Sequence, residues 1–121
     1  MIILFVVCVW LYFIAEGVTE GFTWSVNRTM TPDMYHVFRL GENLGILGAF
    51  LIVRSVSIPF WVLLLSMSSG LALYELAFNK TKYNEFLYNK TSTWFGIPHP
   101  KGWVWLCVFL VSVFIMVKGH I

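Results

Sequence analysis

The stretch IILFVVCVWLYFIAEGVTEGFTW, residues 2–24, decides the fold of this chain. It carries no charge until Glu16, and a second glutamate, Glu20, follows one helical turn later. The run lacks a positive leading region and exceeds the roughly 7–15-residue apolar core of a secretory signal. No small-residue cleavage pattern follows it either, because FIAEG puts a glutamate there. About 20 mostly apolar residues cross ~30 Å of hydrocarbon as a helix. The stretch therefore reads as a membrane-spanning helix with two carboxylates in its second half.

The remaining sequence agrees. Of the 121 residues, 59% are hydrophobic and 12% charged, with a mean hydropathy of +0.78, where a soluble domain has about 25% charged residues. The apolar residues gather in blocks near 2–24, 34–53, 56–78 and 103–117. The expected fold class is all-α, a polytopic integral membrane protein built as a four-transmembrane-helix bundle, with 1–121 a single transmembrane domain. Helices are predicted over about 3–24, 33–54, 58–78 and 103–118, with a polar, interfacial loop over 79–102. Thr31 or Asp33 can cap the second helix, with Pro32 at its mouth. Arg54 marks that helix's exit to water, and Pro59 falls in the first turn of the third. Tyr83, Phe86 and Leu87 suit a short interfacial helix in the loop.

A net charge of +2 with no basic run excludes nucleic acid as a partner. No Walker, Gly-x-Ser-x-Gly, His-Glu-x-x-His, Cys-x-x-Cys or haem-attachment pattern occurs, which argues against an enzyme. Cys8 and Cys107 fall near opposite membrane faces in this layout, so no disulfide between them is expected.

The positive-inside rule orients the four spans. The loops 25–33 and 79–102, with the helix ends beside them, carry Arg28, Arg39, Lys80, Lys82, Lys90 and Lys101; the opposite side carries Arg54 and Lys118. Both loops are therefore expected in the cytoplasm, and both termini on the other side. Three glycosylation sequons, at Asn27, Asn79 and Asn89, lie in those same loops and pull the other way.

Depth along the helices collects the polar residues. Four of the six acidic residues, Glu16, Glu20, Glu42 and Glu75, fall in one half of the membrane, with His36, Arg39, Asn43 and His99. At ~1.5 Å rise per residue, Glu20 is expected level with His36 and Arg39, and Glu16 level with Glu42 and Asn43. Tyr12, Glu16, Glu20 and Thr23 share a stripe of the first helix, and His36, Arg39, Glu42 and Asn43 an arc of the second. Gly41, Gly45 and Gly48 occupy the second helix's other side, a small-residue face expected to pack on another helix, such as the third. The third helix carries Ser66/Gly70 and Ser68/Ala72 at the same spacing.

Charges at membrane depth cost roughly 2.5–3.5 kcal/mol each near a helix centre, so these groups must face one another or water. Three readings fit them. One is an ion- or proton-handling, channel- or transporter-like oligomer in which Glu16, Glu20, His36, Arg39, Glu42, Asn43 and Glu75 line a polar path. The second is a non-catalytic structural or scaffold subunit, with Glu20–Arg39 and Glu16–Asn43 as interhelical clamps. The third, more distant, is a zinc, iron or manganese site, or an enzyme built on one, drawing ligands from Glu16, Glu20, His36, Glu42 and His99. A path requires water reaching Glu16; a clamp is dry and fully paired. The expected partners are the lipid bilayer and further copies of the chain, or the other subunits of a larger membrane complex.

Overall fold

A computed structural model describes residues 1–25, 30–90, 93–94 and 96–119, for 93 and 94 the backbone only. Over these residues the chain is 79% helix, in four helices, with one pair of two-residue strands and irregular connections between them. Three are long and apolar enough to cross a membrane: α1 (Ile2–Thr23), α2 (Pro32–Ser55) and α3 (Phe60–Tyr83). The fourth, α4 (Gly102–Lys118), has 17 residues, or about 26 Å of helix.

Local chemistry sets the helix ends. Thr31, in extended conformation, accepts a hydrogen bond on its side chain from the Met34 amide at 3.2 Å, and Pro32 and Asp33 fill the first turn of α2. The third helix continues past the expected end at Phe78 to Tyr83. Lys80 and Lys82 in its last turn complement the helix dipole, and Asn84 at φ 60° terminates it. The expected interfacial helix around Tyr83–Leu87 is absent. Instead the Asn79 side chain donates to the Phe86 and Tyr88 carbonyls, at 3.3 and 3.4 Å, and folds the chain back over the end of α3. Beyond it β1 (Thr93–Trp94) pairs antiparallel with β2 (Ile97–Pro98). The Asn89 side chain then accepts the Gly102 amide at 3.0 Å, so a residue 13 positions upstream caps α4.

The helices pack with α1 at the centre, against α2 on one side and α3 on the other, while α4 lies on α3. Gly41 faces Leu11 and Ala15, and Gly48 faces Cys8, so α1 and α2 are antiparallel. Gly70 faces Phe13, Gly17 faces Tyr74 and Gly21 faces Thr81, so α1 and α3 are parallel. Trp10 bridges α1 to α3 by donating to the Ser69 hydroxyl at 2.7 Å. Its ring also meets Phe109 of α4, with centroids 5.4 Å apart. Phe5, Val6, Val9, Ile52, Val62 and Met116 form the main core, and Ala72, Leu76 and Trp105 a second one between α3 and α4.

The glycine face of α2 meets α1, not α3. A Cβ on Gly45 would stand 2.6 Å from the Cys8 carbonyl oxygen and 3.0 Å from the Tyr12 nitrogen, a backbone approach that only glycine permits. Cys8 and Cys107 are free thiols.

Candidate functional site

The expected polar cluster resolves into two separate groups. The first lies on the α1–α2 seam. Arg39 Nη1 is 2.8 Å from Glu42 Oε2 and 3.7 Å from Glu16 Oε2, so two carboxylates from different helices converge on one guanidinium nitrogen. The Arg39 side chain is 44% exposed in the isolated chain and Glu16 23%, whereas Glu42 is 6% exposed. The guanidinium carbon sits 5.3 Å from the centre of the Tyr35 ring. Glu20 accepts from the Trp24 indole at 3.1 Å. Glu42 Oε1 is buried with no hydrogen-bond partner among the described residues.

The pairing differs from the expected Glu20–Arg39 and Glu16–Asn43 contacts by about one helical turn. The cause is the close approach of Gly45 to Cys8 and Tyr12, which fixes the register of α2 on α1 and leaves the charges to pair where it puts them. Asn43 and His36 fall on the exposed face of α2. The His36 ring meets the Tyr35 ring edge-on, with centroids 5.8 Å apart.

The second group lies at the end of α3, where residues 84–90 and 96–101 come back beside it. Glu75, 7% exposed, is 2.8 Å from Lys90 Nζ and 3.7 Å from His99 Nε2. Lys90 also lies 4.0 Å from the centre of the Phe78 ring, and the His99 ring meets Trp105 at 6.3 Å. Asn79 Oδ1 is buried close by without a hydrogen-bond partner among the described residues. Sequence reasoning placed Glu75 beside the first group and missed Lys90 altogether. Helical periodicity carries no information across the irregular segment that returns Lys90 to α3.

The candidate metal ligands are dispersed by the same geometry: Glu16 and Glu42 surround a cation they already have, His36 faces outward and His99 belongs to the second group. Among the described residues no set of three or more histidine, cysteine, aspartate or glutamate side chains converges as a metal site.

The described cavities are apolar clefts. One, of about 610 Å³, is lined by Trp61, Leu64, Leu65, Phe114, Ile115, Lys118 and Gly119. Another, of about 200 Å³, runs between Tyr12, Phe13, Gly45 and Met67. No protein-family model, curated protein or solved structure matches the chain.

Proposed function

We propose that this chain is a small four-span membrane protein that takes up and releases a proton or a small cation at the Glu16–Arg39–Glu42 group. The observation that carries this is charge imbalance at depth. Two carboxylates, Glu16 and Glu42, converge on one guanidinium, and the more buried of them, Glu42, keeps an oxygen with no partner among the described residues. Uncompensated carboxylates in a low-dielectric setting bind protons or cations. On this reading α4, though short, completes the bundle by thinning the bilayer around it.

The test is proton flux into reconstituted vesicles, followed with an internal pH indicator under a clamped potential. Wild-type protein should dissipate an imposed gradient, and Glu42→Gln should slow it by about tenfold or more, as loss of a relay carboxyl does in general acid–base chemistry. Equal flux in both proteins, or none above empty vesicles, would rule the reading out. A second reading, a structural membrane subunit, draws support from the apolar cavities, since Glu16, Arg39 and Glu42 line neither of the two clefts described above. In that case Glu42→Gln leaves flux and assembly unchanged.

Orientation is part of the proposal: the 25–33 and 79–102 segments face the cytoplasm. The basic residues support this, and two of the three opposing sequons are weakened. Asn79 is 1% exposed, and the Asn89 side-chain oxygen caps α4; Asn27 lies outside the described residues. In a cysteine-free background, a membrane-impermeant maleimide added to intact cells should label Ser57→Cys and spare Lys101→Cys. The reverse pattern would invert the assignment.

A further inference from the structure

Helix α2 is the least buried of the candidate spans. Only Glu42, Gly45 and Ile52 are buried on it, all towards α1. On the opposite side His36, Leu40, Asn43, Leu47, Phe50 and Arg54 follow one another at alternating steps of four and three residues. At 100° per residue they fall within an arc of about 80°. That is the spacing of a coiled-coil seam, in which side chains every 3.5 residues on average face a parallel partner. Leu40, Leu47 and Phe50 are 58%, 53% and 58% exposed.

Apolar side chains at these positions are equally at home in lipid, so they do not by themselves demand a partner. Asn43 does. It sits at the middle of a 24-residue helix, roughly 17 Å from either end. It is exposed and forms no hydrogen bond with any described residue. A carboxamide facing hydrocarbon there leaves two donors and an acceptor unsatisfied, a cost that lipid cannot offset.

We propose that the His36–Leu40–Asn43–Leu47–Phe50–Arg54 face of α2 pairs with the same face of a second copy of this chain, in parallel and in register. Self-complementarity selects the occupant. Every copy inserts with the same orientation, so a two-fold axis along the membrane normal brings Asn43 opposite Asn43 at one depth. Each amide then donates to the other's carbonyl. Leu40 and Leu47 form matched layers above and below, and one polar layer within an apolar seam fixes the register. The like charges do not oppose this arrangement, because His36 and Arg54 lie near opposite ends of the helix, where they reach the headgroups. The interface leaves the α1–α2 seam and its carboxylates untouched, so it is independent of the proton-handling proposal.

The test is disulfide cross-linking in native membranes, on a Cys8→Ser, Cys107→Ser background. Single cysteines replace Val37, Leu40, Leu44, Ile46, Leu47 or Phe50 in turn. Dimer yield should peak at Leu40, Leu47 and Phe50 and be several-fold lower at Val37, Leu44 and Ile46. In lipid vesicles, energy transfer between labelled copies should show Asn43→Leu weakening the dimer by about tenfold, and Asn43→Gln retaining most of it. A flat cross-linking profile, a peak on another face or helix, a wild-type monomer at every protein-to-lipid ratio, or an Asn43→Leu dimer of unchanged strength would each overturn the proposal.

Discussion

Gly17→Leu should destabilise the helix bundle by about 3 kcal/mol, the upper range for overpacking a tight interface. A Cβ at position 17 would stand 2.5 Å from the Tyr74 carbonyl oxygen and 3.1 Å from its Cα. Both are backbone atoms of α3, so no side-chain rotation relieves the clash and the helices must separate. Gly21, one turn on, meets Thr81 Cβ at 2.6 Å under the same construction. Together the two glycines hold α1 against α3 along the half of the helix that also bears Glu16 and Glu20. Because α1 contacts both α2 and α3, the damage reaches the α1–α2 carboxylate group as well. Equilibrium unfolding in mixed micelles, followed by tryptophan fluorescence, measures the loss. Gly41→Ala is the control: its added Cβ meets only Ala15 Cβ at 3.7 Å and a Leu11 methyl at 3.8 Å, ordinary contacts that should leave stability unchanged or raise it by up to about 1 kcal/mol. If Gly17→Leu unfolds like wild type, α1 and α3 do not pack as described.

That same glycine pair marks how far the sequence could be read. The apolar blocks located the three long helices, and Thr31-Pro32-Asp33 put the start of α2 within one residue of Pro32, because capping is local chemistry. In FIAEGVTEGFTW the glutamates drew attention, yet Gly17 and Gly21 have the spacing of Gly41 and Gly45 and do as much to build the bundle. Register was misplaced for a related reason. Charge matching ranked the pairs by depth, but ion pairs are soft in distance and backbone contact at glycine is not. Steric approach at Gly45 therefore decided which turn of α2 faces Glu16. What no pattern signalled was the return of Phe86, Tyr88, Lys90 and His99 to the end of α3. It depends on two asparagine side chains, Asn79 and Asn89, that bond backbone groups distant in sequence. In the sequence both stand out only as sequons.

The second large effect concerns the buried ion pair that this return creates. Lys90→Met should cost about 3 kcal/mol, because it strands the Glu75 carboxylate in a site that exposes 7% of its side chain. Methionine can keep apolar contact with the Phe78 ring that Lys90 covers at 4.0 Å, so the loss reports charge more than packing. Glu75→Gln should cost a similar amount by stranding the ammonium, whose side chain is 12% exposed. The double variant removes both charges and should lose no more than about 2 kcal/mol, giving a coupling of several kcal/mol across the cycle. His99→Ala should be milder than either single change, since its Nε2 stands at 3.7 Å from Glu75, beyond direct hydrogen-bonding distance. Protease sensitivity of the 84–101 segment supplies a local readout beside global unfolding. Either single variant should expose that segment to cleavage while α1 and α2 stay protected, because the pair ties Lys90 to α3. Additive single costs, with no rise in cleavage, would mean that Lys90 and Glu75 do not pair in the membrane-embedded protein and that the two asparagines alone hold the segment in place.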